Sequence, residues 1–524
     1  MKIAKVLFFF LMLIGCSKDQ SLIVSKETLR VNLGAEPLTL DPRKARALNA
    51  INICRVFFEG LTRMSKEGKP ELALAEKMEV SPDGKRYMFT LREAFWSNGD
   101  RVSSEDFVYS WKTILDPLFP SPLAEQLYLI KGGKAAKEGK IPLDAIGISA
   151  PDEKTLLVEL EHATPYFLEV LSAPISFPVP RKAEEKKKRW SLEPKEFVCN
   201  GPFCLKEWKH QDFLQVVKNS TYWDEKNVKL SSIFFVMVSP EVELSLFESG
   251  ELDWAGSPFS TLPLDALKKW KNNPLFSTAL YTGTIFLRIN TEDECAGKIL
   301  GQSSFRNALS SSIDRSFMVQ HLLPGGQIPT SSLVPSSLLP SRKMQSAPSP
   351  CSLLQKALQE VGGKEEVPPL KLIYVSQECN HLIAQALQRQ WKEVLGLKII
   401  LQAVESKFFY DMLAKGEYQM AISSWFADVN DPINFLELFK YKEGRCNHTF
   451  WQNEKYALLL DQSDLTVDRD VRKKLLEQAH ELLMEEMPII PIYQASLCYL
   501  KKKEVEGIYV FPLGYIDFKW ACKR

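Results

Sequence analysis

The stretch Leu370-Lys371-Leu372-Ile373-Tyr374-Val375, followed by Leu382-Ile383-Ala384-Gln385-Ala386-Leu387-Gln388-Arg389-Gln390-Trp391 and Leu397-Lys398-Ile399-Ile400-Leu401-Gln402-Ala403-Val404, decides the fold class. Its first part is a short apolar run of strand length. Leu382, Ile383, Ala386, Leu387, Trp391 and Leu395 then recur at helical spacing until Gly396, a residue that readily ends a helix. Leu397 to Val404 is largely apolar, the pattern of a strand covered on both faces. The spacing predicts another helix over 408–413, ended by Gly416, and a third strand over 418–425. The order β-α-β-α-β predicts an α/β architecture with parallel strands. Upstream, Leu353, Leu354, Ala357, Leu358 and Val361 share one helical face that Gly362-Gly363 closes. Ligands of open α/β sheets bind beyond the carboxyl ends of the strands, which points to Trp425-Phe426-Ala427-Asp428.

The amino half reads differently, as short strands joined by turns. Residues 29–34 form a strand candidate. Ser81-Pro82-Asp83-Gly84 joins strands over 76–80 and 87–91, and Ser97-Asn98-Gly99-Asp100 is a second tight turn. Ser104-Glu105-Asp106 is expected to cap a helix from Phe107 to Leu115, which Asp116-Pro117 ends.

At 524 residues the chain is longer than one core usually supports, so two or three domains are expected. Lys and Arg number 66 against 65 Asp and Glu, so no overall field attracts nucleic acid. The first residues carry Lys2 and Lys5, the apolar run Val6 to Ile14, and Leu13-Ile14-Gly15-Cys16. This is the pattern of a signal peptide (1–16) ending in a lipobox. A bilayer span takes about 20 apolar residues and this run is roughly half as long. Cys16 is therefore expected to carry lipid, with 17–27 as a polar tether to a membrane surface.

Ten cysteines less Cys16 leave nine, too odd a set to pair completely. Cys199 and Cys204, flanking Asn200-Gly201-Pro202, are the first pair to test. Enzyme motifs are near misses. His480-Glu481 lacks a second histidine, and Gly133 with Gly139-Lys140 has the wrong spacing for a phosphate loop. No catalytic set, no metal spacing and no cofactor is implied, since the six histidines are dispersed.

The pieces resemble, in order and nearly end to end, the family 5 extracellular solute-binding proteins, the oligopeptide- and dipeptide-binding components of bacterial ABC importers. The resemblance is carried by Glu36-Pro37-Leu38-Thr39-Leu40-Asp41-Pro42, Phe58-Glu59-Gly60-Leu61, Ser81-Pro82-Asp83-Gly84, Trp96-Ser97-Asn98-Gly99-Asp100, Asp106-Phe107-Val108-Tyr109-Ser110-Trp111 and Asn200-Gly201-Pro202-Phe203. It continues through Asn290, Phe305-Arg306-Asn307-Ala308-Leu309, Asp314-Arg315, Trp425-Phe426-Ala427-Asp428 and Pro488-Ile489-Ile490-Pro491-Ile492-Tyr493.

It implies a two-lobed periplasmic-binding-protein-like fold of class II with an inserted subdomain in the first lobe. The expected boundaries are 28–65, 190–283 and 503–524 for lobe 1, 66–189 for the insertion, and 284–502 for lobe 2. Trp96 and Trp111 are expected to be apolar anchors. The implied function is capture of short peptides outside the cytoplasmic membrane and delivery to membrane-embedded permease subunits, by a monomer with no catalytic role. In peptide-binding members the aspartate matching Asp428 pairs with the peptide ammonium, and Ser424, Trp425 and Phe426 would present strand-edge groups to the peptide backbone. The alternative for Asp428 is a turn cap, the role expected of Asp431 before Pro432. Arg46 and Leu48 match a segment near the ligand, and Asp517 matches a pocket-lining tyrosine. Arg46 departs from an acidic residue, Ile422 from an arginine, and Gly283 with Phe426 from a cysteine pair. The same fold also serves nickel chelates, haem and cell-wall peptides, so a murein peptide is the alternative ligand.

Overall fold

The computed structural model describes residues 27–187, 189–296, 298–340, 348–363 and 366–524. The signal peptide, Cys16 and all of the tether except Glu27 lie outside them. Leu370–Val375, Ile399–Val404 and Met420–Phe426 are parallel strands, with Leu370–Val375 in the middle. The helices between them are Glu378–Leu395 and Ser406–Lys415. Gly396 and Gly416 follow them in the left-handed conformation, at φ 68° and 73°.

Both outer strands start two residues later than the periodicity predicts, for local reasons. The Leu397 N–H still closes the preceding helix by donating to the Trp391 carbonyl at 3.2 Å. The Tyr418 carbonyl accepts from Asn290 Nδ2 at 3.0 Å. Each group is thus spent before the ladder begins.

These strands form one end of an eleven-stranded sheet among the described residues. From Met420–Phe426 the sheet passes through Phe276–Ile289 and Ile489–Lys501 to Trp254–Gly256, Thr28–Asn32, Ser232–Val236, Phe213–Lys218 and Phe203–Lys209. Phe276–Ile289 and Ile489–Lys501 run antiparallel across the middle, with register breaks between Leu280 and Thr284 and between Ile285 and Phe286. Residues 276–280 pair on the side of Trp254–Gly256, and residues 283–289 pair with Met420–Phe426. Thr28–Asn32 stops short of Gly34, whose φ is 73°.

A separate four-stranded sheet orders Ala75–Val80, Arg86–Leu91, Thr155–Glu159 and Ile148–Asp152. The turn expected at Ser81 to Gly84 joins the first two, with the Gly84 N–H donating to the Ser81 carbonyl at 2.9 Å. One expectation is corrected here: the cap of the next helix is Ser103, and Ser104 is already inside Ser104–Leu115. The Asp106 carboxylate, one turn into the helix, accepts the Ser103 N–H at 2.9 Å and Trp96 Nε1 at 3.2 Å. This reciprocal contact places the cap one residue earlier. Trp96 and Trp111 are both buried in the surrounding apolar core.

Candidate ligand-binding site

The candidate site grows from the carboxyl end of Met420–Phe426. On one side this strand is paired along its length, from Ile289↔Met420 to Gly283↔Phe426. On the other side the ladder with Leu370–Val375 stops at Ile373↔Ala421. Residues 422–426 therefore present strand backbone with no ladder partner on that side among the described residues. Such groups need water or a ligand to satisfy them. Ile422, opposite Leu287, is buried. Ser423 Oγ accepts from Arg288 Nε at 3.0 Å, and that guanidinium also donates to the Cys446 carbonyl at 2.7 Å. Burial lowers the Arg288 pKa, and its donors are spent on holding the strand.

Beyond the strand, Asn434 fixes the turn. Its Oδ1 accepts from Trp425 Nε1 at 3.0 Å and from the Asp428 N–H at 3.1 Å. The Asp428 carboxylate itself accepts no hydrogen bond and has no ion pair among the described residues. It is half-buried, and burial, with the negative charge of Glu125, pushes its pKa up to about 6. A carboxylate in this position is costly to ionise without a cation, and a cation arriving there would be held strongly. Asp431, three residues on, behaves differently. Its Oδ1 accepts the Ile433 N–H at 3.0 Å, and Arg472 grips both carboxylate oxygens at 2.8 and 2.9 Å. The helix cap expected at Asp431 falls on Pro432, and Asp431 instead closes the turn just before Ile433–Leu436, a bond of a kind the Asp428 carboxylate does not make among the described residues.

Aromatic rings wall the site. Phe426 stacks on Tyr281 with centroids 4.6 Å apart. Tyr281 is pushed up to about 12 by burial and by the charge of Asp428. Tyr515 is also pushed up to about 12, chiefly by burial; Asp428 and Tyr281 raise it further, while Arg55 opposes them. From the short helix Phe167–Val170, Glu169 Oε2 accepts the Asn430 N–H at 3.1 Å.

The residues expected from sequence separate into groups. Ser424, Trp425, Phe426 and Asp428 come together on one strand end. Leu48 is half-buried beside Gly514, close to Tyr281. Asp517 lies in a recess with Arg63, at 3.4 Å. Arg46 is exposed and makes no hydrogen bond or ion pair among the described residues. Sequence reasoning missed Glu125, Tyr281, Asn434 and Tyr515, which carry no local motif. Cys199 and Cys204 stand as thiols with Sγ atoms 3.6 Å apart. Among the described residues no group of His, Cys, Asp and Glu is arranged to hold a metal ion.

The model of the bacterial extracellular solute-binding proteins, family 5, matches residues 69–446. The chain belongs to this family. A relative in it, the oligopeptide-binding protein OppA of Bacillus subtilis, is 37% identical over 508 residues, covering 95% of this chain and 92% of that protein. The unliganded open form of MppA, a periplasmic murein tripeptide binding protein, superposes with a TM-score of 0.80 at 28% identity, covering 95% of this chain and 98% of that one. The OppA of Haemophilus influenzae in complex with the peptide RPPGFSPFR gives a TM-score of 0.77 at 26% identity, covering 95% and 99%. The family 5 chain thus has the two-lobed α/β fold of periplasmic binding proteins. The family is one of extracytoplasmic solute binding, not catalysis. No helix among the described residues is long and apolar enough to cross a membrane.

Proposed function

We propose that the protein captures short peptides by their free amino terminus and passes them to an ABC-type peptide importer. The observation that carries this is the Asp428 carboxylate, half-buried and, among the described residues, without a donor, beside strand backbone that has no ladder partner on one side among them. A peptide supplies both missing partners: an ammonium for the carboxylate and main-chain groups for the strand. Main-chain pairing is common to all peptides, which suits a carrier of many sequences. The names of the relatives, an oligopeptide-binding protein and a peptide complex among them, support the same ligand class.

Within this proposal Trp425, Phe426 and Ser424 line the peptide backbone, and Leu48 and Asp517 lie on the first lobe's side. Arg46 would meet ligand only at the rim. The lobes divide as expected from sequence, at 28–65, 190–283 and 503–524 against 284–502, with 66–189 inserted in the first. The register break beside Gly283 supports the first crossing. The protein acts as a monomer at the periplasmic face of a bacterial membrane or at the cell surface, anchored by lipid on Cys16. The short apolar run before that cysteine supports the anchor.

The test is mass spectrometry of ligands released from the purified protein. Short peptides with unmodified amino termini are expected. Recovery of murein peptides alone would move the ligand to the cell-wall class. Failure of any peptide to copurify, or to bind in calorimetry, would overturn the proposal.

A further inference from the structure

A second charge without a close counter-ion among the described residues, Arg55, stacks on Tyr515, the ring whose pKa the Asp428 charge also raises. Arg55 sits in the last turn of the helix Leu48–Phe57 and lines a small recess whose walls include Glu59, Arg63, Phe177, Asp517 and Lys519. Its guanidinium lies over the Tyr515 ring, 4.9 Å from the centroid. One hydrogen bond is made, from Nη1 to the Ser172 carbonyl at 2.7 Å. The buried Nε has no acceptor, and among the described residues no carboxylate reaches Arg55 within ion-pair distance.

The acidic residues of the recess are already committed. Glu59 accepts Arg63 Nη1 at 3.2 Å, the Tyr222 hydroxyl at 2.8 Å and Trp223 Nε1 at 2.5 Å. Asp517 accepts Arg63 Nη2 at 3.4 Å and the Lys519 N–H at 2.8 Å. Lys519 is paired with Asp224 at 2.5 Å. Among the described residues lining the recess, Arg55 is the cation left over. Burial lowers its pKa despite the opposing charges of Asp517, Tyr515 and Glu59, as expected of a cation lacking a close counter-ion.

We propose that this recess is a side-chain subsite for a ligand carboxylate, so that the protein prefers peptides bearing Glu or Asp at one position near the amino terminus. This rests on the peptide reading above. Asp428 takes the ammonium, and Arg55, stacked on Tyr515, takes the acid. Two ligand charges would also explain why, among the described residues, the protein holds a carboxylate and a guanidinium without a close counter-ion, both acting on the same tyrosine.

The test compares tetra-alanine with its variants carrying Glu or Gln at each position in turn, by calorimetry on the unaltered protein and on Arg55→Gln. At one position Glu is expected to bind at least tenfold more tightly than Gln, about 1.4 kcal/mol. In Arg55→Gln the preference should shrink to within about threefold, about 0.65 kcal/mol, while the Gln peptide binds as before. Equal binding of Glu and Gln peptides at every position of the unaltered protein overturns the subsite while leaving peptide capture standing. A preference that survives Arg55→Gln, in a variant whose circular dichroism matches the parent, assigns the acid to another residue and overturns it too. If no peptide binds at all, the proposed function itself falls. Because the Glu and Gln comparison is made first on the unaltered protein, a variant that fails to fold does not rescue the idea.

Discussion

Gly283 stands directly opposite Phe426 in the antiparallel ladder, and the Phe426 ring fills the space a side chain on Gly283 would occupy, 2.2 Å from the ideal Cβ position. The ring is held there by its stack on Tyr281. Gly283→Ala must therefore push the ring off Tyr281 or spread the strands. A loss of about 1 to 3 kcal/mol is expected, the usual range for overpacking. Urea unfolding checks it, and the double variant with Phe426→Ala should lose less than the sum of the two single changes. Strict additivity would show that the two residues do not share the space.

Asp428→Ala removes the proposed partner of the ligand ammonium. Breaking one side of a buried pair costs about 3 to 5 kcal/mol, or roughly two to three decades in affinity. An amino-acetylated peptide should bind the unaltered protein poorly and lose little more in the variant. Calorimetry with both ligands and both proteins reads the coupling. Binding of free-amine peptides within about threefold of the parent would reduce Asp428 to a turn residue.

Affinity should depend on pH through the same carboxylate, whose pKa is pushed up to about 6 by burial and then by Glu125. Without ligand, folded Asp428 binds a proton more tightly than it does in the unfolded chain. Its contribution to stability therefore falls as pH rises from the ordinary carboxyl range through about 6. Ligand binding has the opposite sign, because an ammonium needs the ionised form. Peptides should bind about tenfold more weakly at pH 5 than at pH 7, since most Asp428 is protonated at the lower value. In Asp428→Asn this dependence should vanish, and its persistence would assign the proton elsewhere.

Cys199 and Cys204 are poised to pair under oxidation. The Cys199 thiol donates toward Cys204, which raises the first pKa and lowers the second. A thiol oxidant such as diamide should consume this pair, leaving a crosslinked peptide in mass spectrometry and adding about 2 kcal/mol of stability for so short a loop. If both thiols remain open to alkylation after the treatment, the pairing is excluded.

Cys16→Ser should abolish lipid attachment and processing at that site while the folded body is unchanged. Metabolic labelling with a palmitate analogue, read by mass spectrometry of the amino-terminal peptide, checks this. Continued processing and lipidation of the variant at the same site would remove the anchor from the proposal.

The sequence by itself determined the local pieces. Gly396 and Gly416 end helices because the left-handed conformation costs glycine little, and the apolar runs beside them form strands for reasons contained within a few residues. The capping residue slipped by one, from Ser104 to Ser103, because the deciding contact is the Asp106 carboxylate returning to a backbone N–H. The resemblance of colinear motifs added the two-lobed plan and singled out Asp428. Tertiary structure alone decided which distant groups surround that residue. Asn434, six residues on, holds its N–H locally, while Glu125 from the short helix Ala124–Leu127, Tyr281 from the strand Phe276–Ile289 and Tyr515 from the carboxyl-terminal segment are brought near it by the fold. Thr28–Asn32 lies beside Ser232–Val236 in the same way. Helix ends are set by hydrogen bonds between near neighbours, whereas the order of strands, and with it which charges, such as Asp428 and Arg55, have no close counter-ion among the described residues, is set by the packing of the whole core.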